Sequence, residues 1–440
     1  MSATVVIDLG EDWTVADEPP VGRRRRPPSR SLLAALVLVA ALLLTSASAA
    51  PRPSFVVLGS VPTQGTSATE VGDGAVFVGA QTLGRRTVTR YPVAGGPADW
   101  TATVAGPPEY LLYLPGPGTL MVESFDVEIN QGRFAMLDAA TGRQLWISSG
   151  QVMVDRPDAD TGALLLDFDD RGAGSVTYTD LRTGRAQWSR TVPAGSQLVP
   201  TDVDTGSGAR GYVIAAADGT ITLLARGTGA VLATGHVGRL GPEQPEEFQG
   251  QLTIVNVVGD RLVVLRQLGA LKATIDAYSL PAMDHEWSRG GALAGFPTDC
   301  GPVLCLGGAD ELVGLDPATG ATRWHAPGWQ SAMDLGGGRL LGYRQGSGQQ
   351  VGVLDAGTGR VLLDLGDWVP VQGTGSSGLL LSSPDRDYRY TWFAALEPGR
   401  PGLRVLARLA GVGTSGCDPH GDLLVCRTLD AHLRIWRYQG

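Results

Sequence analysis

Five histidines and four cysteines are the residues of this 440-residue chain best suited to chemistry. The histidines are His236, His285, His325, His420 and His432. A hydrolytic triad needs one of them beside a nucleophile on a sharp strand-to-helix turn, and a zinc hydrolase needs two histidines four apart on a helix. None of the five sits in a G-x-S-x-G or H-E-x-x-H setting. His325 directly follows a tryptophan and reads as a strand residue, and His420 lies in a polar turn and reads as exposed. No catalytic role is assigned to any of them.

The cysteines point to crosslinking instead. Cys300 and Cys305 flank a Gly-Pro turn, and Cys417 and Cys426 flank "DPHGD". No C-x-x-C occurs, which weighs against zinc. Four cysteines allow three pairings. The local one, Cys300–Cys305 with Cys417–Cys426, joins the arms of two hairpins and suits the short reach of a disulfide. Such bonds form in an oxidising compartment. Two acidic stretches, "DRPDADTG" (Asp155 to Gly162) and "DVDTG" (Asp202 to Gly206), have the oxygen-rich composition of extracellular calcium loops. Neither follows the twelve-residue calcium pattern, and both read as solvated turns. The expected set of metal-binding and cofactor-binding residues is therefore empty.

Charge narrows the partners. The net charge is −9. Residues 1–30 hold Arg23, Arg24, Arg25, Arg26 and Arg30 against Asp8, Glu11, Asp12, Asp17 and Glu18, so they cancel. The remainder carries the whole acidic excess with no basic stripe, which argues against nucleic acid.

The elements that would carry these residues come from a repeat. "DAATGRQLW" (Asp138 to Trp146) returns as "DLRTGRAQW" (Asp180 to Trp188) and as "DPATGATRW" (Asp316 to Trp324). Before each phrase lies an apolar run of β type, such as "SVTYT" (Ser175 to Thr179) or "ELVGL" (Glu311 to Leu315), and another run lies further upstream. An Asp caps the turn, and Gly142, Gly184 and Gly320 take the positive φ that closes a hairpin. Trp146, Trp188 and Trp324 follow four residues later and offer a large apolar face to seal one sheet against its neighbour. Degenerate copies keep the Gly and lose the Trp, as in "GTGAVLA" (Gly227 to Ala233) and "GTGRVLL" (Gly357 to Leu363). Trp287 keeps the Trp without the Gly. A strand–strand–strand–turn–strand unit of about 43 residues is a propeller blade, so the expected fold is all-β, a β-propeller of four-stranded blades. Literal counting gives eight complete units and a split one. Its parts are "SFVVLGSV" (Ser54 to Val61) and the C-terminal "DLLVCRT" and "LRIWRY", whose pairing would close the ring. Eight blades are expected, with nine as the alternative.

The D-x-x-T-G-x-x-x-W phrase after an apolar strand resembles the repeat of quinoprotein-type β-propellers, named for pyrroloquinoline quinone (PQQ) alcohol dehydrogenases. The resemblance covers roughly Ser54 to Gly440 and implies the fold. The enzymes of that family stack the quinone on a pair of adjacent cysteines and hold calcium through acidic and amide side chains. No adjacent pair exists here, so no cofactor residue carries over. Non-enzymatic propellers share the repeat, among them the periplasmic lipoprotein of outer-membrane protein assembly. No cofactor is expected. The expected role is a binding or scaffold module with an envelope protein partner, the alternatives being a PQQ-dependent oxidoreductase or a sensor that signals through its tail.

Ahead of the repeats, "SLLAALVLVAALLLTSASAA" (Ser31 to Ala50) is uncharged. Twenty helical residues span about 30 Å, the hydrocarbon thickness of a bilayer. The arginines before it belong on the cytoplasmic side. The expected organisation is a disordered cytoplasmic tail (1–30), a single-pass membrane anchor (31–50) and an extracytoplasmic propeller (51–440), placing the protein in the cell membrane. A cleaved signal peptide ending at Ala47-Ser48-Ala49 is the competing reading. The 30-residue leader, partly acidic, favours the uncleaved anchor. Its patch "ATVVIDLGEDW" (Ala3 to Trp13) reads as part of that leader, or as a linear motif for a cytoplasmic partner.

Overall fold

A computed structural model of the protein describes residues 55–438, apart from 64–67, 83, 127–130, 155–161, 169–172, 202–210, 241–251, 268–272, 292–294, 309, 345–349, 372–378, 388, 398–399 and 401. The expected tail, the expected anchor and the acidic loops at 155–161 and 202–206 lie outside the described residues. The chain divides into units of residues 1–53 and 54–440, and all described residues belong to the second. Among them, no helix is long and apolar enough to cross a membrane.

Thirty-six described strands form nine four-stranded antiparallel sheets. Blades 1 to 8 follow the chain over 69–103, 110–149, 151–192, 197–236, 252–291, 297–327, 329–366 and 369–410. Blade 9 is composite. Strands Val412–His420, Leu423–Thr428 and His432–Tyr438 supply three positions, and Phe55–Pro62 supplies the outermost one. Phe55–Pro62 pairs antiparallel with the last strand, from Phe55 opposite Tyr438 to Pro62 opposite His432. The two ends of the propeller sequence thus share one sheet, which removes a free blade edge.

The count is nine, the alternative, and not the eight expected from the usual closure. Eight required one weak unit to merge with a neighbour. None merges, because a blade's integrity rests on its buried middle strands and not on its Trp. Strands Gly211–Ala215 and Leu304–Gly307 are buried at every position. They lie between two neighbouring blades, so both faces must be apolar. Fourth strands such as Val231–His236 and Thr322–Pro327 alternate, with one face to solvent.

Nine buried apolar clusters lie between consecutive blades, one for each seam. Blades 1 and 2 meet through Phe77 and Val88 against Leu111 and Leu120. Blades 9 and 1 meet through Val425 and Ile435 against Val71 and Val76, so the ring is closed. Burying one such side chain stabilises by about 1.5–3 kcal/mol before chain entropy is subtracted.

One local feature was not visible in the sequence. The pairing of third and fourth strands is interrupted by a bulge just before the turn, at 136/137, 178/179, 223/224, 277/278, 314/315 and 353/354. A bulge increases twist and re-aims the strand that follows. In blades 2, 3, 5 and 6 that strand carries the repeat tryptophan.

Candidate functional site

The repeat residues assemble into locks at the seams. In blade 2, Asp138 Oδ1 accepts the N–H and the hydroxyl of Thr141 at 3.0 and 2.9 Å. Asp180 does the same for Thr183 at 2.8 and 2.7 Å. The bond to Thr141 holds the Asp138 carboxyl below its ordinary range, and a bond from Arg323 does so for Asp316. Gly142, Gly184 and Gly320 have φ of 72°, 69° and 67°. The expected capped turn is present.

The tryptophans act across the seam. Trp146 Nε1 donates to the carbonyl of Leu181 at 3.0 Å, Trp188 to Arg226 at 2.7 Å, Trp287 to Pro317 at 2.9 Å and Trp324 to Ala356 at 2.9 Å. Each acceptor belongs to the turn of the next blade. The Gly of that turn lies against the same indole. A Cβ on Gly184 would stand 2.8 Å from Trp146, one on Gly229 2.6 Å from Trp188, and one on Gly320 or Gly359 2.5 Å from Trp287 or Trp324. The Gly therefore serves twice, for positive φ and for room under the ring. Trp100 was overlooked in the sequence. It donates to Ala139 at 3.2 Å and lies over Gly142. Its signal was the same four-residue spacing after Gly96, without the Thr.

Seam 4–5 reverses the sizes. Blade 4 has Ala233 where other blades have Trp, and the turn of blade 5 has Met283, with φ of 62°, where others have Gly. A Cβ on Gly235 would stand 2.4 Å from Met283. The missing indole leaves the space that Met283 fills.

The histidines are dispersed. His236 bridges the Asp218 carbonyl at 3.0 Å and the Gly238 N–H at 3.1 Å, and so fixes a turn of blade 4. His325 faces Glu311 at 3.1 Å on exposed blade 6 surface. His432 contacts the Asp430 carbonyl at 2.9 Å, and His420 ends the first strand of the same blade. His285 lies 2.8 Å from the Ser288 hydroxyl, with Asp276 near both. This grouping has the residue types of a triad but not its order. Ser288 donates to Asp276 at 2.5 Å, and Asp276 approaches the same ring nitrogen, Nε2, that meets the serine. A triad carboxylate must hold the opposite nitrogen.

Both local disulfides are present, Cys300–Cys305 and Cys417–Cys426. Cys417 and Cys426 face each other across the first two strands of blade 9. The bridges lie within the packing of seams 6–7 and 8–9. A quinone platform of adjacent cysteines cannot be formed from them. Among the described residues, no group of three or more His, Cys, Asp or Glu side chains is arranged to hold a metal ion.

First strands of neighbouring blades lie side by side, and polar side chains cross between them. Gln197 of blade 4 donates Nε2–H to the Thr253 carbonyl at 2.8 Å and accepts the Val255 N–H at 3.0 Å. Asn256 donates to Pro297 of blade 6 at 2.8 Å. Glu70 of blade 1 accepts the Tyr113 N–H of blade 2 at 3.2 Å. Burial pushes Glu70 up to about 8, with Asp418 of blade 9 adding to the rise, and burial pushes Asp418 to about 6. Tyr110 is raised by burial and then by Glu70, Asp418 and Glu123. Neither Glu70 nor Asp418 carried a sequence signal. Asp418 read as part of a turn, and its strand meets the first strand of blade 1 only where the ring closes.

A family described as outer membrane protein assembly factor BamB matches residues 60–279 and 217–411. No curated protein matches. Among solved structures, BamB from Moraxella catarrhalis is similar at 14% identity, covering 87% of this chain and 100% of that one with a TM-score of 0.42. A europium-containing methanol dehydrogenase is similar at 13% identity over 74% and 72%, with a TM-score of 0.39. A eukaryotic initiation factor is similar at 10% identity over 90% and 94%, with a TM-score of 0.50, a likeness of fold alone. With the family match running from 60 to 411, across most of the propeller, the chain belongs to the PQQ-type propeller family described as outer membrane protein assembly factor BamB.

Proposed function

We propose that this chain is a binding or scaffold propeller of a bacterial envelope, held at the outer face of a membrane by its apolar segment 31–50, with an envelope protein as partner and no enzymatic turnover. The observation that carries this is the match across 60–411 to a family described as an assembly factor. The geometry supports it. The Trp, Gly, Asp and Thr of the repeat are engaged in closing seams, which leaves a rigid ring whose loops at either face are free to recognise a partner. The cysteines do not fit a quinone platform, and the Ser288–His285–Asp276 grouping has the wrong order for acyl transfer.

Cross-linking of the full-length protein in its native membrane, followed by purification, tests the proposal. Specific envelope proteins should be cross-linked and remain so when residues 1–50 are exchanged for an unrelated anchor. Cross-links that depend only on residues 1–30 would favour a sensor, and their complete absence would contradict a scaffold.

A further inference from the structure

In blades 3, 5 and 6 the outermost strand shows polar side chains to solvent, such as Gln187, Glu286 and Arg323. Blades 7, 8 and 9 depart from this. Their outermost strands, Val361–Gly366, Arg404–Ala410 and Phe55–Pro62, read VLLDLG, RVLARLA and FVVLGSVP. Val361, Leu362, Val405, Val56 and Val57 are exposed by 40% to 62%. Val231 and Leu232 of blade 4 are exposed too, but they stand between blades with polar rims, and isolated apolar residues are ordinary on a surface. Three consecutive blades with the same departure are not such a scatter, and grouped apolar surface marks an interaction site.

All five residues occupy the first three positions of their strands. Tyr438, opposite Phe55, donates its N–H to Asp422 in the first-to-second turn of blade 9 at 2.8 Å. Ala356, just before the outermost strand of blade 7, donates to Gly338 in the same turn of its own blade at 2.9 Å. These strands therefore begin at one face of the ring, and the antiparallel order does the same for blade 8. Behind the exposed residues the apolar surface continues inward. Leu363 and Leu403 join the packing of seam 7–8, and Leu406 and Phe55 that of seam 8–9. The chain itself points to the occupant. Its uncharged stretch Ser31 to Ala50 ends five residues before Phe55, and five residues reach at most about 18 Å.

We propose that the rim of blades 7, 8 and 9 is a lipid-contacting edge, on which Val56, Val57, Val361, Leu362 and Val405 enter the interfacial layer of the bilayer. This inference rests on the reading of 31–50 as a membrane span. The span supplies a high local concentration of lipid, and the rim fixes which edge of the ring meets it. The face of the second-to-third turns, where Leu429 is exposed, is left to the protein partner.

Fluorescence quenching of the full-length protein in phosphatidylcholine vesicles tests the edge. Val57→Cys, Leu362→Cys and Val405→Cys each place one environment-sensitive dye on the rim. Gln187→Cys holds the matching strand position in blade 3, and Leu429→Cys the opposite face. All five sites are exposed, so the fold is retained, and the native cysteines are disulfide-bonded and do not take the label. Lipids with a nitroxide just below the headgroup should quench the rim dyes on the order of threefold more strongly than the two controls. Flotation of the same vesicles reads the span separately. Floating protein whose five dyes respond equally would overturn the edge and leave the span standing. Rim dyes that shift to the blue without lipid quenching would place another protein surface there, which also overturns it. Protein that does not float would contradict the span and the edge together.

Discussion

The indole N–H of Trp324 in blade 6 donates to the carbonyl of Ala356 in blade 7 at 2.9 Å, and the same ring lies over Gly359 of that turn. Trp100, Trp146, Trp188 and Trp287 stand in the same relation to their own following blades. Each pair satisfies a turn carbonyl and buries a large apolar face in one contact. The phrase that recurs in the sequence is therefore a fastening between blades, made from both sides of a seam.

Gly359→Ala should destabilise the propeller by about 2–4 kcal/mol, combining a strained positive φ with a forced contact on the indole. Gly357→Ala is the control. Its Cβ would meet only Asp355 at 3.5 Å, and its effect should stay within about 0.5 kcal/mol. Trp324→Ala alone should cost about 3–5 kcal/mol. The double variant should cost less than the sum of the two, because removing the ring frees the space the new methyl needs. The Ala233 and Met283 exchange at seam 4–5 is the natural form of that compensation. Denaturant unfolding of the four proteins provides the comparison, and strict additivity would mean that the contact is not shared.

The two disulfides should each contribute about 2 kcal/mol, since short loops remove little entropy from the unfolded chain. Cys300 and Cys305 are five residues apart, and Cys417 and Cys426 nine. Reduction should lower the unfolding midpoint, and non-reducing peptide maps should show only links within each segment. A link between the two segments would reject the local pairing.

Much of this was legible because it is local. Cysteines that bracket one turn lie within the short reach of a disulfide, which favoured the local one of the three pairings, and a Gly four residues before a Trp marks a hairpin wherever it stands. The composite blade was legible too, since Ser54 to Val61 formed a strand without a blade. What escaped depends on three dimensions. The partner of each Gly is the Trp of the preceding blade, not the one four residues later, and nothing within a single repeat reveals it. Trp100 lacked the Thr that made the other copies recognisable. Glu70 and Asp418 lie near opposite ends of the propeller sequence, and only ring closure brings their strands together. The blade number depended on whether weak repeats still bury both faces of their middle strands, which the loss of a Trp does not decide.

Residues 31–50 should remain part of the mature protein. The motive is the uncharged twenty-residue stretch preceded by Arg23–Arg26 and Arg30, with a long leader before it. Mass spectrometry of the mature N-terminus distinguishes the outcomes. A chain beginning at Ala50 or Pro51 would mean cleavage and a secreted propeller.

Adding PQQ and Ca²⁺ to the purified full-length protein tests most directly whether the quinoprotein-type repeat of this chain builds a binding ring or a quinone site. Its unfolding midpoint should not rise, and no alcohol should drive dye reduction. Tight binding would be visible, because a ligand at a hundredfold excess over its dissociation constant stabilises by about 2.7 kcal/mol. A calcium-dependent rise with PQQ, together with alcohol-dependent dye reduction, would contradict the scaffold and establish an oxidoreductase.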